Sequence, residues 1–236
     1  MIEYLRRKVH NLTHPVLGRI LMLHRVVEQR SDKPEQRELE VTPAFLEQTI
    51  IDSQKKGYSF TSIEELLNTK HLTLNTKKRI CLTFDDGYLD TYTTAYPLLK
   101  RLNIPFAVYV TTGFVDKTAQ MWWYPTTDAM TWEQIKALDN DPLCTIGAHT
   151  VSHPRLDTLS EEMQRKEIVE GKQQLESILG HPVHHFSYPH GAYNANTIDI
   201  VKSTSFRSAL MAWGGTVRRG DNTLLLHRME LRQPSE

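Results

Sequence analysis

The chain has 236 residues, enough for one large α/β domain with a sizeable core. Lysine plus arginine and aspartate plus glutamate balance at 28 each, so no global field points to nucleic acid, a membrane surface or a strongly charged polymer. No run of about 18 apolar residues occurs, which excludes a transmembrane helix, and the cysteines, Cys81 and Cys144, lie in apolar segments that suit buried thiols unless their strands are neighbours.

Taken in order, Met1 to His14 reads as a basic amphipathic helix, part of an N-terminal helical extension over 1–19 on a single domain spanning 1–236. The basic cluster Arg6-Arg7-Lys8 precedes a stretch broken by His10, Asn11, His14 and Arg19, a poor signal peptide, so a cytoplasmic location is the default. Ile20 to Leu23 reads as a buried strand ending at His24-Arg25. A charged loop from Glu28 to Glu40 leads to Thr42-Pro43, an N-cap and first-turn proline for a helix reaching Lys56 and stopped by Gly57. Tyr58 to Thr61 is a short strand, and Ser62 with Glu65 forms a capping box for the next helix.

The strand beginning at Ile80 ends abruptly in Asp85-Asp86-Gly87-Tyr88, for which an ordinary Asp-Gly turn reads as well as a site. Leu89 to Leu102 is helix-like but kinks or restarts at Pro97. The strand Ile104 to Thr111 follows, then Trp122-Trp123-Tyr124 in a loop, where the rings either stack on a sugar or pack on the barrel wall. Thr131 and Gln134 cap a helix through Leu138, and Leu143 to Ile146 is a strand that ends at His149 and His153. Ser160 caps a long amphipathic helix stopped by Gly180 and Pro182, with His181, His184 and His185 in a solvated loop behind it. Phe186 to Gly191 closes a short strand, and a helix at Asn194 to Ser203 and strands at Ser208 to Ala212 and Leu224 to Leu226 complete the chain. Strands alternating with helices predict a parallel sheet or barrel.

Gly147 and Pro154 flank the His149/His153 pair and argue against a helix, which places both imidazoles on a loop at a strand end. The acid pair, this His pair and Tyr188-Pro189-His190-Gly191 then share one rim. Two imidazoles and one carboxylate form a familiar catalytic set for a divalent metal such as zinc, with a position open to water, whereas a closed structural site wants four ligands and usually thiolates.

With Thr83-Phe84-Asp85-Asp86-Gly87, His149-Thr150-Val151-Ser152-His153 and, more loosely, Tyr188-Pro189-His190-Gly191, the sequence resembles the polysaccharide deacetylase family, the carbohydrate esterases with a NodB-type homology domain. The resemblance runs from Leu23-His24-Arg25-Val26 to Leu226-His227-Arg228. It implies a distorted (β/α) barrel with fewer than eight repeats and hydrolysis of an N- or O-acetyl group from an acetylated saccharide. It further implies Asp86, His149 and His153 as metal ligands and Asp85 as the general base. The His190 N–H would serve as oxyanion donor, with Tyr188 beside it at the substrate, and His227 would be the proton donor, His24 being a weaker candidate. Bulk water, with a pKa of about 15.7 against roughly 4 for Asp, yields a proton to Asp85 only with a metal's help. Two departures stand out: Ser187 occupies the position where many members carry an arginine against the base, with Arg228 a candidate replacement, and the tryptophan-bearing fourth motif is not recognisable around Trp213. Strand alternation lets His227 or Arg228, but not readily both, point to the site. A non-catalytic carbohydrate-binding or scaffolding domain on the same barrel is the competing reading.

Overall fold

The computed structural model describes residues 15–68, 78–124 and 128–234. The short apolar runs become one nine-stranded sheet: β1 (Val16–Leu23), β2 (Tyr58–Phe60), β3 (Lys78–Phe84), β4 (Phe106–Val110), β5 (Cys144–Ala148), β6 (His185–Ser187), β7 (Ser208–Leu210), β8 (Thr216–Arg218) and β9 (Met229–Glu230). The order is β8-β1-β3-β4-β5-β6-β7, with β2 beside β3 and β9 beside β1. Every pairing is parallel except that of β8 with β1. The sheet curls, and a bridge from Leu210 to Leu226 together with β9 on β1 brings the C-terminal segment back against the first strand. The expected distorted barrel with fewer than eight repeats is therefore observed as a curled half-barrel.

Helices α1 (Pro43–Lys55), α2 (Ile63–Leu67), α3 (Tyr96–Leu102), α4 (Trp132–Asp139), α5 (Glu161–Leu179) and α6 (Ala195–Ser203) connect the strands. Their ends follow the side chains that satisfy orphan amides. Thr42 caps α1 through the Phe45 N–H, and Thr131 and Gln134 form a reciprocal capping box on α4. At α2 only half of the expected box forms: Ser62 accepts from the Glu65 N–H, but the Glu65 carboxylate turns to the Thr61 hydroxyl, 2.6 Å away. Pro97 does restart its helix. Residues Thr91–Ala95 make a wide π turn, and Pro97 then sits in the first turn of α3, where its missing N–H costs nothing.

Several expectations shift. The proposed extension over 1–19 lies outside the described residues as far as His14, and from Val16 the chain is strand, with Arg19 opposite Thr216 of β8. Leu224 to Leu226 supplies a single bridge rather than a strand, because Asn222 and Leu225 close a tight turn there. His185 is no loop residue: it opens β6, is 3% exposed, and has Ser208 Oγ on Nδ1 at 2.7 Å and Glu64 Oε1 on Nε2 at 2.5 Å. His181, by contrast, is exposed as expected.

Period-two alternation builds two apolar layers. On β3, Ile80, Leu82 and Phe84 pack outward with helix residues such as Leu46 and Leu99, whereas Cys81 packs inward with Ile20, Ala107, Tyr109 and Leu210. Among the described residues no helix is long and apolar enough to cross a membrane.

Cys81 on β3 and Cys144 on β5 are separated by β4, and both are free. Burial pushes both thiols far up, so neither supplies the thiolate that reacts. Native protein is expected to react slowly with a thiol-exchange reagent and to yield both thiols on denaturation; prompt native labelling of Cys81, or a Cys81–Cys144 peptide in a non-reducing digest, would contradict the arrangement.

Candidate active site

The inner face of the half-barrel, followed along each strand to its carboxyl end, runs into the chemistry. Cys81 and Thr83 lead to Asp85, Ala107 and Tyr109 to Thr111, Gly147 to His149, His185 to Ser187, and Met22 to His24. Gly147 is required by packing: a Cβ there would come within 2.5 Å of the Tyr109 ring, which fills the interior beneath the site. Consecutive strand residues point to opposite faces, so Asp85 and Asp86 need a break in the strand to share a site. The break is a left-handed turn, with Asp86 at φ 72° and Gly87 at φ 81°.

Asp86 Oδ1 lies 3.4 Å from His149 Nε2 and 3.3 Å from His153 Nε2, and all three side chains are buried. His149 Nδ1 lies 2.8 Å from the Ser187 carbonyl, which can only accept, so Nδ1 carries the proton and Nε2 presents a lone pair to the carboxylate. Among the described residues Asp86 Oδ1 has no hydrogen-bond partner. Lone pairs converging on one buried point require a cation between them, either a proton or a metal ion. Burial alone would lower the His149 pKa, but Asp85 and Asp86 raise it. Burial pushes His153 down to about 3 against the pull of Asp86, which keeps that imidazole neutral and fit to ligate. The donor set of two imidazoles and one carboxylate fits a divalent first-row ion.

Asp85 borders this trio, with Oδ2 3.8 Å from His149 Nε2, but its hydrogen bonds go elsewhere. Arg228 grips it with Nη1 on Oδ1 at 2.7 Å and Nη2 on Oδ2 at 2.6 Å, and the Ser187 hydroxyl donates to Oδ2 at 3.1 Å. The guanidinium also donates to Thr83 Oγ1, Ser187 Oγ and the Met211 carbonyl, so both charges are buried and paired. Burial pushes the Asp85 carboxyl up, but Arg228 and then His149 outweigh it and hold the acid below its ordinary range. The arginine that Ser187 lacks thus arrives from the end of the chain.

Residues 74–209 match the family model described as polysaccharide deacetylase. The chain belongs to the polysaccharide deacetylase family. It is 25% identical over 213 residues to YxkH of Bacillus subtilis (strain 168), covering 90% of this chain and 70% of that protein. It is 24% identical over 226 residues to the poly-beta-1,6-N-acetyl-D-glucosamine N-deacetylase of Escherichia coli (strain K12), covering 78% of this chain but only 32% of that enzyme. Among solved structures, the Streptococcus pyogenes deacetylase PplD in complex with acetate superposes with a TM-score of 0.79 at 27% identity, over 91% of this chain and 92% of that one. IcaB from Ammonifex degensii shares the fold, with a TM-score of 0.78 at 24% identity over 91% and 92% of the two chains.

The deacetylase-family site opens into a cavity of about 360 Å³ that takes in Asp85, Asp86, His149, His153, Tyr188 and His190, within the range usual for small-molecule sites. His190 sits at φ 57° in the turn Pro189–Gly191, whose own bonds use the N–H groups of Gly191 and Ala192. Tyr188 reaches the cavity, but its hydroxyl donates to the Leu224 carbonyl at 2.9 Å and is committed to the fold. Of the alternating pair, Arg228 points in. His227 does not line the cavity, and its Nδ1 lies 3.3 Å from the Trp213 carbonyl. His24, on the inner face after β1, does line it. A larger groove of about 520 Å³ between Trp132 and α5 contains no ionisable side chain, so the chemistry belongs to the smaller cavity.

Sequence reading misses Glu167 altogether. Its carboxylate accepts from the N–H groups of Val151 and Ser152, at 3.0 and 2.8 Å, and from the Ser152 hydroxyl at 2.6 Å, which fixes the loop between the two histidines. Gln164, Glu167 and Gly171 are buried on the same stripe of α5 as Ile168 and Leu175. Polar groups on a buried helix face are the signal that could have found it. Glu167→Ala is expected to destabilise the metal-free protein by about 2–4 kcal/mol, with Glu167→Gln losing less; a urea midpoint unchanged in both would refute this role.

Proposed function

We propose that the chain is a zinc-dependent hydrolase that removes acetyl groups from the amide nitrogen of an N-acetylated sugar polymer, with residues 1–236 forming one deacetylase domain. The observation that carries this reading is the division of two adjacent acids: Asp86 converges with two imidazoles, while Asp85 is neutralised separately by Arg228. The polymer class is suggested by the Escherichia coli relative, named for N-deacetylation of poly-beta-1,6-N-acetyl-D-glucosamine. Acetate, found with the streptococcal structure, is the product this reaction releases.

Asp86 and the Nε2 atoms of His149 and His153 would hold the ion. When bound, zinc supplies Lewis-acid charge, polarising the acyl oxygen and lowering the pKa of water from about 15.7 toward about 7. Asp85, oriented by Arg228 and Ser187, takes the proton from the attacking water. Its depressed pKa keeps it ionised at neutral pH and makes it a weak base alone. The His190 N–H stabilises negative charge developing on the acyl oxygen. His24 gives a proton to the departing nitrogen, since it lines the cavity together with both aspartates, whereas His227 faces Trp213. The missing arginine and the unassigned proton donor motivate a non-catalytic reading; Arg228 on Asp85 answers the first, and the His24 and His227 variants test the second.

Acetate release from N-acetylated oligosaccharides is expected to stop on treatment with a chelator and to return with zinc. Asp85→Asn should lower kcat by about 10²–10⁴ while leaving zinc binding intact. Turnover indifferent to both metal removal and Asp86→Ala would refute the proposal. His24→Ala should cost about 10²-fold or more in kcat and His227→Ala little; the reverse order would return the proton donor to His227.

A further inference from the structure

The two histidines of the site are held in different ways. His149 has its ring fixed by the hydrogen bond between Nδ1 and the Ser187 carbonyl. His153 has no such bond: its Nδ1 is buried and has no partner among the described residues. Its ring lies instead between two flat neighbours, Trp123 at 4.3 Å between centroids with planes 36° apart, and His190 at 4.5 Å and 57°. The indole is itself pinned. Its Nε1–H donates to the Tyr88 hydroxyl at 2.7 Å, and its ring meets Phe114 nearly edge-on at 5.4 Å and 80°.

Tyr88 is wholly buried and follows Asp86 and Gly87 in the same turn. The turn that carries Asp86 is therefore joined to His153 through two aromatic side chains, Tyr88 and Trp123. This resolves the choice between a sugar platform and wall packing for Trp123 in a third way, because one of its faces is already against His153. Trp122, 64% exposed, meets Trp123 nearly edge-on at 5.1 Å and is the ring of the Trp122-Trp123-Tyr124 cluster most open to solvent.

We propose that Trp123 and Tyr88 are positioning residues of the metal centre: the indole sets the ring plane of His153, as the Ser187 carbonyl sets that of His149, and Tyr88 ties the indole to the turn that carries Asp86. This rests on Asp86, His149 and His153 being the metal ligands. Partners behind a ligand fix its orientation, and their loss typically weakens metal affinity by about 10–100-fold. Trp123→Phe keeps a ring against His153 but loses the N–H, and Tyr88→Phe removes the acceptor of that same bond. The two changes should therefore be non-additive.

The test is zinc affinity, measured on the metal-free protein by competition with a chromophoric chelator, so that turnover plays no part. Trp123→Ala is expected to weaken zinc by about 10-fold or more, Trp123→Phe and Tyr88→Phe by less, and the double variant by no more than the worse single change. Cobalt loading should quench indole fluorescence in the wild type and quench it less in Trp123→Phe. Affinity within about twofold of wild type in Trp123→Ala, while Asp86→Ala abolishes binding, would overturn the positioning role alone. Wild-type affinity in Asp86→Ala would remove the metal centre and this proposal with it. If Trp123→Ala does not fold, Tyr88→Phe decides: an unchanged affinity there breaks the path.

Discussion

The buried pair Arg228–Asp85 is the interaction on which the rest of the structure depends. Both side chains are almost fully buried, and removing one partner from such a pair costs about 3–5 kcal/mol because the other charge is left stranded. Arg228 is also the means by which the end of the chain is fastened to its middle. One guanidinium bonds to the ends of β3 and β6 and to the Met211 carbonyl just after β7, while β9 pairs with β1 immediately beyond it. Closure of the curled sheet and orientation of the candidate base are thus one event.

Around that pair, the backbone adopts conformations that ordinary residues avoid. Asp86, Thr150, His153 and His190 all have positive φ, between 57° and 72°. Each such residue costs on the order of 1 kcal/mol, and such strain persists only where surrounding contacts over-determine it. The contacts are identifiable. The Glu167 carboxylate holds the loop of Thr150 and His153 through two amides and a hydroxyl, and the Thr150 hydroxyl accepts from the His153 N–H at 3.1 Å. At Asp86 the Gly87 N–H returns to the Asp85 carbonyl at 3.0 Å, and the Gly87 carbonyl accepts from Met130. The left-handed turns let side chains from adjacent positions, or from either end of a short loop, face one cavity, which regular strand geometry forbids.

These causes explain what the sequence discloses. The ends of β3 and β5 are legible because apolar runs stop at clustered acids and histidines, and because turn residues flank them. The outward and inward layers of β3 also follow from alternation alone. Arg228 against His227 is not decidable from spacing, since a strand register fixes which face a residue takes only once the strand's partner is known, and β9 is too short to announce itself. Glu167 lies far from every motif and acts only because α5 packs on the loop of the histidines. The misplacement of His185 has the same origin: a histidine beside a proline and two others reads as solvated, yet Glu64 and Ser208, remote in sequence, satisfy both ring nitrogens.

The charge arithmetic of the cavity explains why two adjacent aspartates are not redundant. Asp85 and Arg228 sum to zero, and His153 is held neutral, so with His149 in the neutral tautomer that its bond to the Ser187 carbonyl favours, the ligand trio presents the single negative charge of Asp86. In the proposed reaction a divalent ion on those residues leaves one positive charge in a buried site. An oxyanion developing on the acyl group would neutralise that charge, where low dielectric makes the attraction strong. A second unpaired carboxylate would cancel this excess before the substrate arrived. In that reading Arg228 removes that charge while leaving the Asp85 oxygens in place to accept a proton, so the candidate base and a bound ion would sit side by side within one turn of chain.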